Sequence, residues 1–308
     1  MEPVFGSVSF FAEAVLPSRI RFAALVAAAP ILLATFGQSS ARLRAETKVQ
    51  QARQRVPFRV PAESGITDSS YRASAMRGRA ILLATSDSLP RNVGNHLRCA
   101  SCHLEGGLKK DAMPWVGSYA RFPQYRARSG KVDLIEDRIN DCFERSMNGN
   151  RLNPAGRDMR DIVAYLAFLS KGIPVGAEME GQGFPRLTPL KGDPSRGVSV
   201  FASTCVRCHG ANGQGTALAP PLWGPRSYNV GAGMARINTA ASFIYALMPI
   251  DRAQQLSPQQ AFDVASYINT RPRPDFPRKV HDWPRGGKPV DADYHVLPPV
   301  TPKEKHNE

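Results

Sequence analysis

A chain of 308 residues has room for two ordinary domains plus terminal segments. Hydrophobic residues make up 42%, which excludes a wholly disordered chain, and 40 Lys and Arg against 26 Asp and Glu leave a formal charge of +14. The basic residues are scattered, without finger spacing or an aromatic-interleaved basic run, so no nucleic acid is expected. A positive field of this kind suits a small anion or an acidic protein partner.

Near the amino terminus, Arg19 and Arg21 precede an uncharged run over residues 22–36. A positive flank before an apolar stretch of that length reads as an export signal and is short for a spanning helix. No clean small-residue cleavage site stands out. Residues 1–38 are therefore expected to be a signal peptide or an uncleaved amino-terminal membrane anchor, with the rest of the chain periplasmic.

The five cysteines decide the class. Four of them form two copies of one pattern, Cys99-Ala-Ser-Cys102-His103 and Cys205-Val-Arg-Cys208-His209. C-x-x-C-H is the attachment signature of c-type haem. Each thiol adds to a vinyl group on the porphyrin edge, and the adjacent His reaches the iron. A redox disulfide does not need the His, and one zinc site built from both pairs would leave both histidines without a role. Two covalently bound haem c groups are expected, held by Cys99, Cys102, Cys205 and Cys208, with His103 and His209 as proximal ligands. Thioether attachment of this class takes place outside the cytoplasm, in agreement with export.

The flanking sequence repeats with the motifs. Arg77-Gly78 and Arg196-Gly197 each open an apolar run, a haem motif follows, then Gly/Pro-rich loop, then a closing amphipathic helix. In the first half, Met159, Ile162, Val163, Leu166 and Leu169 predict a helix from Asp158 to Ser170. In the second half, Ser257 as N-cap, Pro258 at N1 and Gln260 at N3 predict a helix from Ser257 to Arg271. The expected fold is all-α: two class I cytochrome c-like domains in tandem, at residues 70–171 and 190–275, each enclosing one covalently bound haem. A Gly/Pro-rich linker separates them, and residues 276–308 form a Pro-rich tail expected to wrap the surface or to be partly disordered.

A cytochrome c haem takes a second axial ligand, usually Met, from the loop before the last helix. Met248 occupies that place, 43 residues after Cys205, and Met234, at 29 residues, is the competitor. The same 43-residue offset from Cys99 lands on the fifth cysteine, Cys142. Cys142 is then either a distal thiolate ligand or a small buried hydrophobe, with Met113, Met147 and Met159 as competing ligands. A helical reading of residues 132–143 puts Ile135, Ile139 and Cys142 on one face, with Arg138 four residues before Cys142. An Arg there would favour the ionised form of a bound thiolate and could hold an anionic substrate, or simply pair with Glu136, Asp137 or Asp141.

At these residues the chain resembles the thiosulfate dehydrogenases, dihaem cytochromes c that join two thiosulfates into tetrathionate. The stretches that carry the resemblance are 119–130, 136–149, 161–170 and 221–228, and it extends over roughly residues 75–285. It implies a His103/Cys142 haem at the catalytic centre and a His209/Met248 haem for electron exit. It also implies that Cys142, Arg138 and Arg128 act on substrate, and that a c-type cytochrome or similar redox protein accepts the electrons. Some relatives carry a Lys before the second-haem Met; here that residue is Leu247. The rival readings are a dihaem carrier without its own substrate, a dihaem peroxidase, and the same enzyme run as a tetrathionate reductase.

Overall fold

The computed structural model describes residues 55–300; residues 1–54, with the segment 1–38 expected to be a signal peptide or anchor, and residues 301–308 lie outside them. Among the described residues six helices of about two turns or more carry the architecture: α1 (Ser69–Leu83), α2 (Ile135–Arg145), α3 (Arg157–Phe168), α4 (Pro194–Val200), α5 (Ile237–Leu247) and α6 (Pro258–Asn269). Strands are minor. β1 (Arg55–Val56) pairs in parallel with β4 (Glu178–Met179), and β2 (Gln124–Arg126) forms a hairpin with β3 (Lys131–Asp133). Among the described residues no helix is long and apolar enough to cross a membrane.

The two halves are built the same way. In the first, α1 crosses α3; in the second, α4 crosses α6. Both crossings are closed by the Arg-Gly pair read in the sequence. A Cβ on Gly78 would sit 1.9 Å from the Asp161 carbonyl oxygen, and one on Gly197 would sit 2.2 Å from that of Asp263. The preceding arginines then pair with the carboxylates of those aspartates: Arg77 Nη1 to Asp161 Oδ2 at 2.6 Å, and Arg196 Nε to Asp263 Oδ2 at 2.7 Å. Both aspartates are buried, so a lost partner would leave a desolvated charge.

Further marks repeat behind the haem motifs. Gly107 and Gly213, each four residues after the motif His, adopt φ of +73° and +63°. A Cβ on either would collide with an indole, Trp115 or Trp223. Each indole in turn packs edge-on against a tyrosine of the closing helix, Trp115 on Tyr165 at 6.3 Å and Trp223 on Tyr267 at 5.8 Å. These contacts belong to two apolar clusters, one centred on each half, the first reaching Tyr228 and Ala232 of the second half. A third cluster, with Leu104, Ala112, Phe184, Phe243, Ala246 and Leu247, draws on both halves and on the linker. The linker therefore serves as core: Met179 and Phe184 are buried.

The capping box of α6 forms as the sequence predicts, with the Gln260 amide donating to Ser257 Oγ and the Ser257 amide to Gln260 Oε1. The helical reading of residues 132–143 is corrected at its start. Val132 and Asp133 lie in β3, because the buried Asp133 carboxylate accepts Ser129 Oγ at 2.9 Å and faces Arg126 Nε at 3.4 Å across the hairpin. The helix begins only after the Leu134 amide donates to Asp137 Oδ2.

The crossings set a stability test. Gly78→Ala and Gly197→Ala should each cost about 1–3 kcal/mol by forcing packed helices apart. Thermal unfolding of the haem-loaded protein checks this; an unchanged midpoint for both variants would show that the crossings yield freely.

Candidate active site

The two C-x-x-C-H segments form tight turns, Cys99–Ser101 continuing to His103 and Val206–His209. Among the described residues no disulfide joins any of the five cysteines. His103 Nδ1 lies 2.5 Å from the Met113 carbonyl oxygen, and His209 Nδ1 lies 2.8 Å from that of Pro220. A carbonyl can only accept, so Nδ1 carries the proton in both rings and Nε2 is left with its lone pair, as a metal-binding imidazole requires. Burial lowers the His103 pKa to about 4 and lowers that of His209, so both rings are neutral at pH 7. Burial pushes the thiols of Cys99, Cys102 and Cys205 up, to about 12, 11 and 11. Thiols held protonated in this way are poor thiolate metal ligands, so a metal site built from the two cysteine pairs is disfavoured. The donor set fits haem c, and the chain binds haem through its cytochrome c domains.

Cys142 sits on α2 close enough to the first motif for its charge to act on both Cys99 and Cys102. One turn earlier, Arg138 Nη1 donates to Cys142 Sγ at 2.8 Å. Cys142 raises the pKa of Arg138 against the opposing effect of burial. On the second-motif side, Met248 and Met234 both pack against the cluster that contains Cys205. Leu247 is buried in the third cluster.

Beyond Arg138 opens a cavity of about 240 Å³. Five arginines line it: Arg126, Arg128, Arg138, Arg145 and Arg236. Asp141, Ser146, Gly233 and Trp283 complete the wall. Burial pulls Arg126 below its ordinary pKa, and neighbouring Arg138 adds to the effect. Burial also lowers Arg128, with Arg145 and Arg236 adding to it against Tyr294 and Asp282. Among the described residues Arg236 has no carboxylate partner: Nη2 donates to Thr239 Oγ1 at 3.1 Å, and Nε is buried without a hydrogen-bond partner. Crowded cations with an unsatisfied donor make an anion site.

Of the residues singled out from sequence, Arg128 and Arg138 line this cavity, and Cys142 stands behind Arg138. Arg126, Arg145, Arg236 and Trp283 were not assigned from sequence. Two of them carried a local signal: Arg126 alternates with Arg128 at the hairpin, and Arg145 follows Arg138 by seven residues, two helical turns. Arg236 and Trp283 carried none, because only tertiary folding brings the second half and the tail to this place.

A family model described as "SoxA/TsdA, cytochrome c domain" matches residues 92–175, and one described as "Cytochrome C oxidase, cbb3-type, subunit III" matches residues 192–268. The chain is 42% identical over 242 residues to a thiosulfate dehydrogenase of Psychrobacter arcticus, covering 76% of this chain and 74% of that one. It is 44% identical over 239 residues to the thiosulfate dehydrogenase of Allochromatium vinosum, covering 74% and 88% respectively. Among solved structures, thiosulfate dehydrogenase (TsdBA) from Marichromatium purpuratum superposes with a TM-score of 0.69 at 37% identity. That match covers 72% of this chain but only half of the longer Marichromatium chain. Tandem cytochrome c domains, a neutral histidine after each cysteine pair and relatives matched through both halves lead to one assignment: the chain belongs to the thiosulfate dehydrogenase family of thiosulfate-oxidising cytochrome c enzymes.

Proposed function

We propose that the chain couples two thiosulfates into tetrathionate at the arginine-lined cavity and passes two electrons to an external c-type cytochrome or similar redox protein. The observation that carries this reading is the five-arginine cavity abutting the Arg138–Cys142 pair. Two covalent haems, one per domain, would supply one-electron acceptors beside and beyond the cavity. His103 and Cys142 would hold the first, and His209 and Met248 the second. The export signal assigned to residues 1–38 supports a periplasmic location.

The residues fit the electrostatics of the reaction. Each substrate is a dianion. Two of them about 5 Å apart repel by roughly 3 kcal/mol in bulk water and by about 13 kcal/mol at an effective dielectric constant near 20. Guanidinium groups fixed in advance offset that repulsion with no reorganisation at the moment of reaction. Joining two thiosulfates forms one S–S bond and releases two electrons without moving a proton. No general base is needed, in keeping with a wall made mainly of arginines, which do not give up their protons.

Purified holoprotein mixed with thiosulfate and ferricyanide should bleach two ferricyanides for each tetrathionate formed. Haem bands that stay oxidised on rapid mixing with thiosulfate would instead identify a carrier without its own substrate. Cys142→Gly should abolish turnover while both haems remain attached; retained activity would remove Cys142 from the centre. Arg236→Gln should raise the KM for thiosulfate about tenfold, the worth of one charge-assisted hydrogen bond. An unchanged KM would place Arg236 outside the substrate's reach.

A further inference from the structure

The segment after α6 does not stand apart from the cavity. Its first residues grip the end of α2, the helix that carries Arg138 and Cys142, just beyond those two residues. Arg278 pairs with Glu144. The next residue of α2, Arg145, is forked by Asp282, with Nη1 to Oδ2 at 2.9 Å and Nη2 to Oδ1 at 2.7 Å. Its guanidinium also lies 4.4 Å over the Phe276 ring. Arg145 and Asp282 are both buried, at 8% and 4% exposure, so this ion pair is screened from water.

The same segment holds Arg128. Asp282 Oδ2 lies 3.9 Å from Arg128 Nε, and the Arg128 guanidinium stands 4.9 Å from the centre of the Trp283 ring. The Trp283 amide donates to the Arg128 carbonyl oxygen at 2.9 Å. Trp283 adopts φ of +54°, in the left-handed region that a bulky residue seldom enters. Behind it, Tyr294 Oη donates to Asp282 Oδ2 at 2.7 Å, and its ring stacks on Trp283 at 5.9 Å. Burial raises the pKa of Tyr294, so the phenol remains a donor. Backbone bonds from Leu297 to Val280 and from Val300 to Pro284 close the segment on itself.

One carboxylate therefore serves two cavity arginines, and one indole forms part of the cavity wall. We infer that residues 276–300 are a strap belonging to the anion site, in which Asp282 and Tyr294 are positioning residues for Arg145 and Arg128. Trp283 fixes the stance of Arg128. The strap's ligand is a compact sulfur oxyanion, an inference resting on the function proposed above. Its work is orientation. It removes one positive charge from the cavity, which by itself weakens anion binding, and in return fixes two guanidinium groups that would otherwise repel each other.

That opposition makes the inference testable in the haem-loaded protein, with inorganic sulfate as an unreactive probe. Asp282→Asn adds net positive charge to the cavity but breaks the fork. If the strap orients the arginines, calorimetry should show sulfate binding about tenfold weaker than in the parent. In the thiosulfate assay kcat should fall by more than KM changes. Sulfate bound equally or more tightly by Asp282→Asn would overturn the inference, since charge alone would then govern the site. Should that variant not fold, Tyr294→Phe removes only the supporting hydroxyl. It should lose a few-fold in sulfate affinity and in kcat, and wild-type values for both would refute the positioning role. A parent protein that binds sulfate but leaves thiosulfate unoxidised would sink the proposed reaction while leaving the strap standing. A parent that binds no sulfate would sink the strap.

Discussion

Five guanidinium groups around one small cavity repel one another, and most of the surrounding structure serves to keep them there. The hairpin β2–β3 brings Arg126 and Arg128, with Asp133 holding Arg126 from below. Helix α2 brings Arg138 and Arg145 on one face. The second half brings Arg236 and accepts Arg128 Nη1 on the Gly231 carbonyl oxygen at 2.8 Å. Carboxylates are rationed: Asp141 and Asp282 meet Arg145, whereas Arg138 is left to the Cys142 sulfur and Arg236 to a hydroxyl.

Such a site needs the two halves fixed relative to each other, and polar stitches do this alongside the third apolar cluster. Asn95 Nδ2 donates to the carbonyl oxygens of Ser146 and Ser227, one from each half. Asn229 donates its side-chain amide to the Glu144 carbonyl oxygen and its backbone amide to that of Arg145. These bonds satisfy the carbonyls at the end of α2, which no later turn of that helix could reach. The end of the helix that carries Cys142 is therefore capped by the second domain.

Much of this was legible from local sequence, and the reasons are local. The haem motifs need only five contiguous residues. The closing helices announce themselves by apolar period and by the Ser257 box, and the Arg138–Cys142 contact follows from four-residue helical spacing. Val132 has a periodicity that fits a helix, but its strand partner, Tyr125, lies across a turn, beyond what local sequence shows. Asp282, Trp283 and Tyr294 are invisible as site residues, since a tail rich in Pro and charge looks the same whether it trails in solvent or seals a cavity, and Arg236 is brought to the site only by the folding of the second half. The Arg-Gly repeats were visible as a pattern, but their meaning lay in two helices crossing so closely that a single methyl has no room.

Those repeats set one frame around two unlike sites. Each half keeps the glycine at the helix crossing, the arginine before it, the buried aspartate opposite, the glycine behind the haem motif and the Trp–Tyr pair. The halves part company on the far side of the motifs, at Cys142 and Arg138 against Met248 and Leu247. A frame that specifies only the helix crossing, the motif and the Trp–Tyr seat leaves the opposite face free to differ, so one scaffold can hold two unlike environments in a single chain.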